Sequence, residues 1–289
     1  MKNLPQIIIE ENLEQEVNIF LSFLNHPYYP QKRNSILKVF PELKSLLEKS
    51  KNDKTTIRNF VVNFYKKHEA DIESILLKSQ LFLKKNGKMA LQKLAETMEY
   101  QWPKPITCIA IPTILPFSPF GNNVFYFSIL KQIDNKKPNK DILYIAIHEI
   151  SHFIFFDLLK KNEKRNKLQF PKDAMNYLKE ALTAALLNQR VFLNLFELEE
   201  DVGNPEIRDL FIKINGKTKT TRDFVQELYI QRVKKEKKLF EIFLDELINI
   251  FISIAPALSR KRLIWNRYGR TLFEKPKILA QYRKPISTK

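Results

Sequence analysis

Apolar positions in the first hundred residues recur at helical spacing. Residues 9–24 place Leu13, Val17, Phe20, Leu21 and Leu24 on one face, which predicts a helix that stops at His26-Pro27. A second helix is expected over residues 34–49, kinked or broken at Pro41, because proline lacks the N–H that the helical ladder needs. Thr55 or Thr56 can cap a longer stretch in which Ile57, Phe60, Val61, Phe64, Ile72, Ile75 and Leu76 carry the apolar face to Leu83. Asn86-Gly87 reads as its end, and residues 88–100 as a further short helix closed by Trp102-Pro103.

The pattern then changes. Residues 106–111 (ITCIAI) are compact and β-branched, and residues 123–130 (NVFYFSIL) are rich in aromatics; both read as strands. Pro112, Pro116, Pro119 and Gly121 mark the loop between them. After a polar loop, Asn139 or Asp141 can cap a strongly apolar helix, ILYIAIHEISHFIFFDLL. Another long helix opens at residues 171–173 and runs through Phe196 to about Gly203. Asn204-Pro205-Glu206 starts the next, with two or three more helices to about Ser259. The order implies a predominantly helical α+β protein. Its expected parts are a helical region at 1–103, a core at 104–203 and a helical region with a basic tail at 204–289.

Composition narrows this picture. The chain has 289 residues, 44% of them hydrophobic and 22 of them Phe, enough for a sizeable core and too many for a disordered chain. The single cysteine, Cys108, excludes an internal disulfide and a cysteine-based zinc knuckle. The N-terminal apolar stretch is only Ile7 to Ile9, which is no secretory signal, so a cytoplasmic protein is expected. Residues 142–159 are the longest apolar run, but they contain His148, Glu149, His152 and Asp157, a costly set at mid-bilayer depth, so no membrane span is expected. Net charge is +17. Residues 255–289 hold ten Lys and Arg against Glu274 alone, a local +9. A solvated basic tail is the plain reading, and weak contact with nucleic acid or an anionic surface is the functional one. A non-catalytic interaction protein that binds nucleic acid through this tail is therefore the alternative to an enzyme.

His148-Glu149-Ile150-Ser151-His152 carries the chemistry. Two histidines four apart project from one helix face and can reach one metal ion. Glu149 sits on their flank, where a carboxylate can act as general base toward water and later as acid toward a leaving amine. The string alone is common, but its setting sharpens it. Two of the four histidines are here, inside an apolar helix where unpaired polar groups are costly. Two core histidines satisfied by hydrogen bonds are the structural alternative. A hydrolytic zinc needs a third protein ligand and an open position. No histidine follows His152, and Leu158 holds the place of the later histidine in the HExxHxxGxxH pattern. Glu180, 28 residues on, lies amid small and apolar neighbours (Asn176 to Ala185), which suits a ligand better than a solvated charge.

With HExxH on one helix and a glutamate on the next, residues 105–200 resemble the gluzincin branch of the zincin metallopeptidases. The resemblance implies one zinc ion held by His148, His152 and Glu180, with Glu149 as catalytic base and a peptide or protein substrate. It also implies a small antiparallel sheet whose edge strand, just ahead of the motif helix, holds the substrate, and residues 123–130 stand in that place. Asn123, Val124, Phe125 and Tyr126 are thus the expected substrate-binding residues, by backbone pairing; the aromatics can equally pack the sheet. Two departures from thermolysin-like members are evident: Ala184 stands where an aspartate orients a histidine ligand, and no downstream histidine exists to stabilise the oxyanion. Hydrolysis of a non-peptide substrate by zinc is a further reading.

An oxyanion donor is still required. Tyr177, three residues before Glu180, shares its helix face. Tyr268, in a basic segment, is a candidate by resemblance alone, and a structural tyrosine is as good a reading of it. Asp157 lies about 140° round the helix from His152 and reads as an outer or surface residue. His26 and His68 read as surface or capping residues, and Glu163 as a weak alternative ligand.

Overall fold

The computed structural model describes residues 3–26, 30–121, 124–135, 141–167, 169–199, 207, 210–214, 217–259 and 279–282. The protein is predominantly helical α+β with a small mixed sheet. It divides into two compact units, residues 1–92 with 101–150 and residues 93–100 with 151–289.

In the first unit, strand β1 (Gln6–Ile9) precedes helices α1 (Leu13–Leu24), α2 (Pro30–Val39), α3 (Pro41–Glu48) and α4 (Asp53–Lys67), followed by α5 (Glu69–Thr97), whose residues from Lys93 on belong to the second unit. Asn12 caps α1 by accepting from Gln15 N, and Asn52 caps α4 by accepting from Thr55 N. Pro41 falls in the first turn of α3, where its missing N–H costs nothing, so it separates α2 from α3. Phe20, Phe40 and Phe60 meet at the centre of these helices, with centroids 5.1–6.5 Å apart.

Two helical expectations are corrected. Ile9 does not open α1 but ends a strand, because Gln6–Ile9 pair in parallel with β2 (Thr107–Thr113) from Gln6↔Thr107 to Ile9↔Ala110. Asn86-Gly87 does not end a helix; α5 runs through it for 29 residues. Gly87 costs an exposed helix about 1 kcal/mol relative to alanine, which a long packed helix absorbs.

The sheet order is β1-β2-β4-β3, with β3 at Phe120–Gly121 and β4 at Val124–Ser128. β2 and β4 run parallel, and only β3 is antiparallel to β4. The sheet is therefore mixed rather than antiparallel. β4 leads through α6 (Leu130–Asn135) to α7 (Asp141–Asn166), the motif helix. By length and composition α7 could cross a membrane, yet 61% of its apolar window is buried inside the protein, as in a core helix.

The second unit contains α8 (Lys172–Leu187), α9 (Arg190–Phe196), α10 (Thr221–Tyr229), which passes into a π-helical turn (Ile230–Lys235), and α11 (Phe240–Ser253). α10 and α11 both pack on α8. The long helix expected through residue 196 breaks at Asn188-Gln189. A second sheet, β6-β5-β7, joins β5 (Phe211–Ile214) to β6 (Lys217–Thr220) antiparallel and to β7 (Leu279–Tyr282) in parallel. That region was expected to be helical; its Ile/Lys/Thr alternation pairs as strands instead. The helix start expected at Asn204-Pro205-Glu206 lies outside the described residues.

Candidate metal centre

Over residues 142–159 α7 is apolar on most sides, so its polar residues lie among buried ones. Ile142, Leu143, Ala146, Ile147, Ile150, Ile154 and Phe155 are buried. His152 is also fully buried and Glu149 is 6% exposed. His148, one turn before His152 on the same continuous helix, is only partly buried, and the Tyr144 ring lies 5.8 Å from its own ring.

α8 supplies the carboxylate. From residue 177 to residue 187 every residue is buried except Glu180. Small residues (Ala181, Ala184, Ala185) let this helix pack closely, and the one side chain left partly open belongs to the expected third ligand. His148, His152 and Glu180 each offer a ligand atom, and these atoms lie within 4.8 Å of one another. His152 Nε2 is 3.5 Å from Glu180 Oε1. A tetrahedral ion with bonds of about 2.0–2.1 Å holds its ligand atoms roughly 3.3 Å apart, so this pair already has the required spacing. Two imidazoles and a carboxylate make a donor set suited to zinc, and His148 and Glu180 are both partly exposed. The residues present fit the ion.

Two neighbours absent from the sequence reading complete the site. Lys179 is 6% exposed, and its Nζ lies 3.3 Å from His152 Nε2 and donates to Glu180 Oε1. An ammonium can only donate, so where Lys179 is charged and donates to Nε2, that atom is the bare nitrogen of a neutral imidazole. The ring proton is then on Nδ1, which donates to Thr183 Oγ1 at 3.2 Å. Thr183 in turn lies 2.6 Å from the Ser151 hydroxyl, and both are buried. This chain of contacts fixes the His152 tautomer with its Nε2 lone pair facing Glu180. Ala184 cannot orient a histidine, and Thr183, one position earlier, does so. Its signal in the sequence was position: it follows Glu180 by three residues and therefore shares its helix face.

The remaining expected residues fall elsewhere. Asp157 Oδ2 accepts from Tyr100 Oη at 2.8 Å and pairs with Lys161 at 2.8 Å, and Asp157 is not among the clustered His148, His152 and Glu180. Partial burial disfavours its charge, but the hydrogen bonds from Lys161 and Tyr100 and the nearby lysines outweigh this and hold its carboxyl below the usual range. Glu163 accepts from Phe170 N at 2.9 Å and closes the turn into α8, so it is not a ligand. His68 is the C-cap of α4, its ring tilted against Phe64 at 4.6 Å, and His26 stacks on Phe23. Tyr177 is buried at 1% exposure, a placement that suits core packing. Cys108 is fully buried on β2, and burial pushes its thiol up to about 12, so it supplies no thiolate. Tyr268 and Asn123 lie outside the described residues.

The substrate strand is corrected. β4 is not an edge, because β2 flanks one side and the chain's own segment 118–121 the other. Tyr126 N donates to Pro119 O at 2.8 Å and Ser128 N to Ser118 Oγ at 3.2 Å. Val124 pairs with Gly121, and Phe125 is fully buried. The backbone groups expected to hold a peptide are thus used internally, and the antiparallel edge strand is β3. Two residues within a proline-rich loop are too short for an alternating pattern to reveal them. The chain matches no family profile, no curated protein and no solved structure.

Proposed function

We propose that the protein is a zinc-dependent hydrolase, and that its substrate is a peptide bond. The observation that carries this reading is the convergence of His148, His152 and Glu180, with Thr183 held against His152 Nδ1. His148, His152 and Glu180 would hold the ion. Bound there, zinc lowers the pKa of water to about 7 and polarises a carbonyl.

The chain's own groups supply the rest. Glu149 follows His148 directly on α7, about 100° round the helix, and its burial shields the carboxylate from bulk solvent. It takes a proton from the attacking water and delivers it to the leaving nitrogen. Thr183 holds the His152 ring, so its Nε2 need not reorient. The partly open side of His148 and Glu180 is where substrate enters. The peptide class rests on the resemblance carried by the motif and Glu180.

Metal analysis of the purified protein, with cleavage of a mixed peptide library, tests the proposal. About one zinc per chain and cleavage lost in Glu149→Gln, with zinc retained, are expected. A wild-type protein that neither contains nor takes up zinc sinks it.

A further inference from the structure

Lys179 has no place in the zinc chemistry just described, yet it is among the most confined charged groups of the protein. It is 6% exposed and directed at the two ligand atoms that belong to α7 and α8. A lysine one residue from a carboxylate on a helix normally points elsewhere, since adjacent positions are about 100° apart. Here the long aliphatic stem crosses that angle inside the core, and its neighbours Leu178, Ala181 and Leu182 are all buried. The Nζ contacts use a lone pair on His152 Nε2 and one on Glu180 Oε1. A metal ion needs the same two lone pairs.

We infer that Lys179 is an internal counter-cation, exchanged for the metal when the site loads. This rests on the metal reading of the site proposed above. The ammonium neutralises Glu180 and occupies Nε2, so His152 and Glu180 stay together without an ion. An incoming divalent cation must break both contacts, and the amine must swing away from the ligand atoms, since a second positive charge within about 4 Å of the ion is repelled. Loading is therefore a competition between two cations for one set of donors, and Lys179 weakens metal affinity while it preserves the site.

Zinc affinity, measured by competition with a chelator on the full chain, tests this without reference to catalysis. Lys179→Met keeps the stem's length and removes the charge. It should bind zinc on the order of ten to a hundred times more tightly than wild type, the range that one or two charge-assisted hydrogen bonds command. Lys179→Arg keeps the charge and should gain nothing. In the wild type, acylation of Lys179, followed by mass spectrometry, should speed up when zinc is added, because the amine leaves its buried partners. The inference is overturned if folded Lys179→Met binds zinc no more tightly than wild type, or if zinc leaves Lys179 acylation unchanged. Both outcomes leave the zinc site standing. If neither wild type nor variant binds zinc, the metal reading and this inference fall together.

Discussion

Glu16 gives the sharpest test of the physical reading of the first unit. Its side chain is 1% exposed on α1, and its Oε1 accepts from Thr113 Oγ1 and Ile114 N, both at 2.9 Å. Burial raises its pKa from an ordinary 4.5 to about 8, and the two hydrogen bonds only partly oppose this. Folded Glu16 therefore keeps its proton up to about pH 8, while the unfolded chain releases it above about 4.5. Between those values the native state binds more protons than the unfolded one, so stability falls as pH rises. The slope is about 1.4 kcal/mol per pH unit, and about 5 kcal/mol is lost by pH 8. Glu16→Gln keeps the acceptor for Thr113 and Ile114 and cannot ionise. Its amide replaces Oε2, which is buried with no hydrogen-bond partner among the described residues, and this costs about 1–3 kcal/mol at every pH. Urea denaturation of both proteins from pH 5 to pH 9 is the assay. The variant should be less stable at pH 5 and more stable at pH 8, with the difference growing by about 1.4 kcal/mol per unit and levelling above pH 8. Titrations common to both proteins cancel in the difference. A difference that does not change with pH would refute the claim that this carboxyl is protonated in the fold.

Other consequences follow from the candidate centre. Alanine at His148, His152 or Glu180 should each abolish stoichiometric zinc binding, measured by metal analysis after dialysis, and Glu149→Gln should keep the ion but lower peptide cleavage by about 10²–10⁴-fold. Thr183→Val removes the acceptor for His152 Nδ1 at nearly constant volume, so zinc affinity should fall about 10–100-fold in a chelator competition. Asp157→Asn should leave zinc affinity unchanged. Because the folded Asp157 carboxyl lies below its usual value, its stabilising effect is present at neutral pH and lost as pH falls through that lowered value. The wild-type advantage over Asp157→Asn in denaturation should therefore shrink toward acid, and a constant advantage contradicts the pairing with Tyr100 and Lys161. Phe20→Ala, which empties the Phe20/Phe40/Phe60 cluster, should cost about 3–5 kcal/mol of stability without touching zinc binding.

The sequence by itself determined the features that depend on near neighbours along the chain. His148, Glu149 and His152 are legible because four residues close one helical turn, so spacing alone puts both imidazoles on one face. Glu180 was legible because a lone carboxylate among alanines and leucines is out of place on a buried helix. The break at Pro41 and the predominantly helical class follow from the same local rules. What depended on distant partners was decided only by the tertiary structure. Residues 6–9 are a strand because β2 lies beside them, a hundred positions away. Gly87 stays helical because α5 is packed along its length, which outweighs a weak local stop signal. β3 takes the edge that 123–130 was expected to offer, because two residues carry no pattern until paired. Lys179 and Thr183 read as ordinary members of α8 until α7 brings His152 against both. Local periodicity fixes which face a side chain occupies, and only packing fixes what that face meets, so His148, His152 and Glu180 were readable as a set and the contacts of Lys179 and Thr183 with His152 were not.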